Sequence, residues 1–159
     1  MSESDRLPRV LFLCTGNSCR SQMAHGFARS IHSDLFLAES AGIEAHGLNP
    51  HAVHVMSEVG VDIADHRSSK LGDLPHLEFD LVITVCGNAD RTCPTFPSNT
   101  RVVHVPFDDP PQLARNSRPG ADTLQHYSRV RDEIEQFVRQ RLPQLLREGT
   151  TRTVTVEES

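Results

Sequence analysis

Val10-Leu11-Phe12-Leu13-Cys14-Thr15-Gly16-Asn17-Ser18-Cys19-Arg20-Ser21-Gln22-Met23-Ala24 is the stretch whose reading decides the fold. Its first four residues form an unbroken apolar run, as expected of a strand buried on both faces. A polar stretch follows. Met23, Ala24, Phe27, Ala28 and Ile31 then recur at three- and four-residue spacing, the stripe of an amphipathic helix. A buried strand, a polar loop and a helix in that order make the opening unit of an α/β domain.

The pattern repeats outward from this unit. Leu35-Phe36-Leu37-Ala38, closed by Ser40-Ala41-Gly42, predicts a second strand. Asn49-Pro50 predicts a capped helix start and Gly60 its stop, with Val53, Met56 and Val59 as the apolar face. Residues 79–85 and 102–105 predict a third and a fourth strand. Leu124, Tyr127, Val130, Ile134, Phe137 and Val138 mark a long last helix starting near Asp122, which Pro143 is expected to end or kink. The expected fold class is α/β, a single domain over residues 9–147 with a four-stranded parallel sheet flanked by helices. Residues 1–8 and 148–159 read as flexible tails, although the alternation of Thr153-Val154-Thr155-Val156 would also suit an added edge strand.

Composition narrows the function. The chain has 159 residues, 37% hydrophobic and 23% charged, with a net charge of −5. That argues against a bulk nucleic-acid binder. No apolar run reaches the ~20 residues of a membrane helix. Met1-Ser2-Glu3-Ser4-Asp5 is acidic and polar, unlike a signal peptide, so the expected location is cytoplasmic and the 4 Cys are expected as thiols.

In open parallel sheets, ligands bind beyond the carboxyl ends of the strands. Cys14 follows the first strand, Cys86 the third, and Asp108 and Asp109 the fourth. Two thiols and an acid are thus expected on one rim. Cys14 and Arg20 bracket five residues, Thr15, Gly16, Asn17, Ser18 and Cys19. Gly16 and Asn17 tolerate left-handed backbone, which turns successive N–H groups inward as an anion nest. The helix dipole adds positive potential, and Arg20 can grip two oxygens of a tetrahedral oxyanion with its planar fork. The same field favours Cys14 as a thiolate, and Ser21 can support it with its hydroxyl. A buried Cys before a turn and a surface Arg would explain the bare spacing, but not its place between strand and helix. The loop lacks the Gly-Lys-Ser/Thr of nucleotide-binding loops. Cys19 reads as a packing thiol, and His66, His104 and His126 as structural. No metal site is expected among the nine His, since no ligand pair has convincing spacing.

At this point the chain resembles a known family. The loop is similar to that of low-molecular-weight protein tyrosine phosphatases. More closely, Cys14-Thr-Gly-Asn-Ser-Cys-Arg-Ser-Gln-Met-Ala resembles the thioredoxin-coupled arsenate reductases built on that fold. Ser40-Ala-Gly-Ile-Glu, His46-Gly-Leu-Asn-Pro50, Val85-Cys86 with Cys93-Pro94, Phe107-Asp-Asp-Pro110 and Val130-Arg-Asp-Glu-Ile134 match as well, in order. The resemblance implies a flavodoxin-like strand order 2-1-3-4. It implies that Cys14 attacks arsenate, Cys86 releases arsenite by forming a disulfide, Cys93 takes that disulfide over for thioredoxin, and Asp109 is the general acid. Phosphate or sulfate would mimic the substrate. Two thiols becoming one disulfide supply the two electrons that As(V) needs, with no tightly bound cofactor. Six residues separate Cys86 from Cys93. As a helix that span would hold the Cα atoms about 10 Å apart, and a disulfide needs less than about 7 Å, so residues 87–92 must rearrange if helical.

One departure stands out. Relatives that bind potassium use acids at positions that align with His25 and Ser69, so that cation site is not carried over. Two competing readings remain at this stage: a low-molecular-weight protein tyrosine phosphatase using Cys14, Arg20 and Asp109, and a non-enzymatic arsenic- or metal-sensing thiol protein. Against the first, Asp109-Pro110 is followed by Pro111-Gln112-Leu113 rather than by aromatic residues. Against the second, no DNA-binding element or thiolate cluster is visible.

Overall fold

The computed structural model describes residues 7–75, 78–85, 96, 100–118 and 122–148, and the backbone of 154–155. The chain runs β1 (Arg9–Cys14), α1 (Arg20–His32), β2 (Leu37–Gly42), α2 (Pro50–Glu58), a short 3₁₀ turn (Leu71–Asp73), β3 (Leu81–Thr84), β4 (Arg101–His104), α3 (Pro110–Arg115) and α4 (Leu124–Gln136). A wider π turn (Phe137–Arg141), α5 (Leu142–Glu148) and β5 (Val154–Thr155) follow. The sheet is wholly parallel in the order β2-β1-β3-β4-β5. The expected order 2-1-3-4 is present, and a short strand lies within the segment expected as a tail. The edge of β4 has backbone groups to pair, and Val154 and Thr155 pair with Val103 and His104.

β1 lies between β2 and β3, with Val10 opposite Leu81 and Cys14 opposite Gly42. β1 is covered on both faces: Val10 through Leu13 are wholly buried, and α1 packs directly on β1 and β2. Met23, Phe27 and Ala28 of α1 pack with Val130, Ile134 and Phe137 in one continuous core.

Several local expectations shift. β2 begins at Leu37 rather than Leu35, because the amides of Leu35 and Phe36 are used by His32 C=O in the turn after α1. α2 buries Ala52, Val55 and Met56, while Val59 lies beyond its end and is exposed. Its N-cap is as read: Asn49 Oδ1 accepts from the amides of His51 and Ala52. Pro143 does not end the last helix. Proline has no N–H for the fourth carbonyl back, and the chain widens just upstream, where Leu142 N–H reaches Phe137 C=O. α3 is not among the helices expected from the sequence. Proline is well suited to a first helical turn, where its missing N–H has no intrahelical partner to lose.

Candidate active site

The loop from Cys14 to Arg20 is shaped from outside by the chain that leaves β2. The carbonyls of Cys14, Thr15, Gly16 and Ser18 accept from the amides of Ile43, Glu44, His46 and Asn49 at 2.8–3.0 Å. The Asn17 carbonyl accepts from Gln22 Nε2, and the Cys19 carbonyl from Met23 N–H. A trans peptide directs its N–H opposite to its C=O. Carbonyls engaged outward therefore turn the amides of residues 15–20 toward the concave side, at the N-terminus of α1, where an anion is favoured. Among the described residues, Asn17 alone of the non-glycine residues has positive φ, +48°. Gly16 is needed for a different reason than left-handed backbone. A Cβ there would lie 2.3 Å from the His46 ring. Gly42 is held to its size by backbone, since a Cβ would meet Glu44 O at 2.3 Å and Asn17 N at 2.7 Å.

Cys14 is buried, and its Sγ lies 3.0 Å from Ser21 Oγ. Asn17 Nδ2 donates to the same Ser21 Oγ at 2.8 Å. With that lone pair occupied, the Ser21 hydroxyl hydrogen is available to the sulfur, an arrangement that stabilises a thiolate. Cys19 is equally buried, but desolvation pushes its thiol up to about 12, with Arg20 opposing and Asp109 adding to the rise. It stays a neutral thiol, and its place at the N-cap of α1 makes it a packing residue whose backbone belongs to the loop.

Arg20 donates from Nη1 to the carbonyl of Phe107 at 2.9 Å, and its Nη2 lies 3.7 Å from Asp109 Oδ1. The fork is thereby anchored to the turn after β4. Of the two neighbouring acids, Asp108 is bound to Arg129 at 2.9 Å, on the far side of that turn. Asp108 and Glu133 together hold the Arg129 guanidinium above its usual range. Asp109 faces the cleft. That cleft, about 540 Å³, is lined by the loop from Cys14 to Arg20, by His46 and Asn49, and by Asp109, Pro111, Gln112 and Arg115. A second cleft, about 460 Å³, contains the Asp108–Arg129 pair and no nucleophile.

Cys14, Arg20 and Asp109 thus meet at one cleft from three separate elements, with the buried Ser21 against the sulfur. Cys86 and Cys93 lie outside the described residues. Val85, the residue before Cys86, donates its amide to the Leu13 carbonyl beside Cys14. His46 and the Phe107 carbonyl were not singled out in sequence. His46 stands in a matching segment, but a backbone acceptor leaves no mark in side-chain chemistry. Ser69 donates its amide to Asn17 Oδ1 at 2.7 Å, and His25 pairs with Ser40 Oγ at 2.9 Å and stacks on His66. Burial and the neighbouring His66 and Arg29 press His25 down to about 4. These two positions present no acid. Among the described residues, no group of three His, Cys, Asp or Glu could hold a metal, and no helix is long and apolar enough to cross a membrane.

Comparison with known proteins points the same way. The family described as low molecular weight phosphotyrosine protein phosphatase matches residues 9–151. Arsenate reductase 1 of Staphylococcus epidermidis is 46% identical over 126 residues, 79% of this chain and 89% of the relative. A solved structure of an arsenate reductase in the phosphate binding state is 27% identical, with a TM-score of 0.68, over 91% of this chain and 100% of the other. A thioredoxin-dependent arsenate reductase of Corynebacterium glutamicum is 26% identical, with a TM-score of 0.65, over 91% of this chain and 65% of the other.

Proposed function

The chain belongs to the low molecular weight phosphotyrosine protein phosphatase family, and from that premise we propose that it reduces arsenate to arsenite by a relay of three cysteines. One observation carries the reading: Cys14, with the Ser21 hydroxyl at 3.0 Å, sits at the base of a cleft facing both Arg20 and Asp109. The resemblance to arsenate reductases selects arsenate among tetrahedral oxyanions. Arg115, Asn49 and Gln112 line the same cleft and add polar and cationic groups suited to an inorganic anion.

Arsenate is held by the loop amides and Arg20. The Cys14 thiolate attacks arsenic, and Asp109 protonates the departing oxygen, which leaves as water. A Cys14 Sγ–As(V) bond has formed and an As–O bond has broken. The Cys86 thiolate then attacks Cys14 Sγ. The S–As electron pair goes to arsenic, which leaves as arsenite, and a Cys14–Cys86 disulfide remains. Arsenic has gained two electrons and two thiolates have lost one each. Cys93 attacks Cys86, restores Cys14 and leaves a Cys86–Cys93 disulfide, which thioredoxin reduces. No resident cofactor is required. Cys86 and Cys93 enter this scheme through the family resemblance and the place of Val85 on the rim.

The test is a Cys→Ser series with arsenate, thioredoxin, thioredoxin reductase and NADPH, read by NADPH consumption and by mass spectrometry of thiol-blocked digests. Cys14→Ser is expected to release no arsenite. Cys86→Ser is expected to stall at the arsenic adduct. Cys93→Ser is expected to release one arsenite per chain and trap the Cys14–Cys86 disulfide. Full multiple turnover by Cys93→Ser would reduce the scheme to a two-cysteine reductase. Wild-type protein that consumes no NADPH with arsenate, yet hydrolyses aryl phosphates rapidly, would replace it by a phosphatase.

A further inference from the structure

Behind the loop, three buried side chains, Ser21, Asn17 and Gln22, link Cys14 to His66 on the segment that follows α2, and the direction of each link follows from its neighbours. Gln22 Nε2 faces three oxygens: Arg67 O at 2.9 Å, and Asn17 O and Asn17 Oδ1, both at 3.1 Å. None of these oxygens can donate, so the end facing them is the NH₂, sharing its two hydrogens among them, and the other end, Oε1, is the atom 2.9 Å from His66 Nδ1. An amide oxygen cannot donate. His66 must therefore carry its proton on Nδ1. Asn17 Oδ1 also receives the Ser69 amide, which leaves Asn17 Nδ2 to donate to Ser21 Oγ at 2.8 Å. A thiolate sulfur can only accept, so Ser21 Oγ donates to the ionised Cys14 Sγ at 3.0 Å.

The links therefore all point one way: His66 Nδ1–H to Gln22, Gln22 Nε2–H to Asn17, Asn17 Nδ2–H to Ser21, and Ser21 Oγ–H to sulfur. Asn17, Ser21 and Gln22 are wholly buried, where aligned hydrogen bonds polarise one another most strongly. We infer that His66 is a positioning residue for the nucleophile, holding the Gln22 amide in the one orientation that lets this chain of donors end on the Cys14 thiolate. The far ring nitrogen fits this role. His66 Nε2 is buried without a hydrogen-bond partner, beside the His25 ring at a centroid distance of 4.6 Å. A bare ring nitrogen tolerates that setting better than an N–H, as the Nδ1–H tautomer requires. Burial and Arg29 also favour the neutral ring, against Asp65 and Asp62 on its own segment. Without the Nδ1 donor, Gln22 is free to flip, and its oxygen would then face the Asn17 and Arg67 oxygens.

This inference rests on Cys14 as the nucleophile of the proposed reaction, but its test does not require arsenate. The probe is Cys14 itself, followed by thiolate absorbance against pH with Cys14→Ser as the blank, and by its rate of alkylation with iodoacetamide. His66→Leu removes the donor and is expected to raise the Cys14 midpoint by about one pH unit, about tenfold less thiolate at a fixed lower pH. His66→Asn places an amide nitrogen where Nδ1 stood, and is expected to restore the midpoint to within about 0.3 units of wild type. A folded His66→Leu protein with an unshifted midpoint would overturn the inference, as would an Asn variant no better than Leu. Should His66→Leu fail to fold, nitrogen-15 NMR of the wild-type imidazoles decides. A neutral His66 protonated on Nδ1 is expected, and one protonated on Nε2 would overturn it. A positive result here with no arsenate reduction would leave the positioning role standing and remove only the proposed substrate.

Discussion

The loop of residues 14–20 and the turn of residues 107–110 each offer the site the same side chain twice. The loop has Cys14 and Cys19; the turn has Asp108 and Asp109. In each region one copy faces chemistry and the other does not, for different reasons. The two thiols are equally buried at 4% exposure, so exposure does not separate them. Partners do: the Ser21 hydroxyl stands against Cys14 to offset its burial, whereas at Cys19 burial outweighs the pull of Arg20 and keeps the thiol protonated. The two acids are separated by direction. Asp108 is drawn to Arg129 on α4, and Asp109 is left facing Arg20 across the cleft. Burial by itself says little about reactivity here, and an ion pair can decide which of two adjacent acids is available.

The largest expected effect breaks the thiol pair. Cys14→Ser should lower arsenite release at least about a thousandfold, because the residues of such a site act as a unit. Cys19→Ala keeps its backbone amide and should stay within about threefold of wild type. Comparable losses in both variants would show that the two thiols share the chemistry.

Arg20→Lys comes next. A point charge cannot both hold the Phe107 carbonyl and grip two anion oxygens, and kcat/KM for arsenate should fall about a hundredfold. A variant with wild-type kinetics would show that the loop amides suffice.

The acids should differ by less. Asp109→Asn should lower turnover about a hundredfold at most, with the loss concentrated in kcat, since an amide cannot protonate a departing oxygen. Asp108→Asn should leave kcat within about twofold and change stability by less than about 1 kcal/mol, since its partner is exposed. Steady-state kinetics and urea unfolding of the pair measure both.

The smallest effect is silent at neutral pH. The folded protein raises the Cys19 thiol from 9.0 to about 12, so the neutral form is the one the fold favours. Its contribution is fully present below pH 9 and is lost as pH climbs through about 12, because the unfolded chain releases that proton first. Wild-type protein should thus lose more stability over this window than Cys19→Ala, by a few kcal/mol at its upper end. Parallel alkaline unfolding curves for the two would show that Cys19 ionises freely in the folded state.

Much of this site was legible before any coordinates. An apolar run, a polar loop and an amphipathic stripe place Cys14 at the end of a buried strand and Arg20 at the start of a helix, because backbone pairing and burial follow from local pattern. Asn49-Pro50 as a cap was legible for the same reason. The rest depended on neighbours distant in sequence. The preference for Ala52 and Val55 over Val59 came from where α2 ends. The π turn ahead of Pro143 depended on how a missing N–H is accommodated, which sequence shows as a break and structure resolves as a detour.

The sequence by itself determined the run from β1 to β4 with α1, α2 and the long last helix, the rim on which the chemistry gathers, and the residue types available there. These follow from hydrophobic period and from the chirality and planarity of the chain, which act over a few residues at a time. Only the tertiary structure decided which copy of each repeated side chain faces the cleft, what a Cβ on Gly16 or Gly42 would meet, and that Gln22 and His66 stand behind the sulfur. The His66–Gln22 contact spans 44 residues and the Arg20–Phe107 contact 87. Such pairs are set by the packing of whole elements against a common core, and no local pattern of residues encodes their distance or direction.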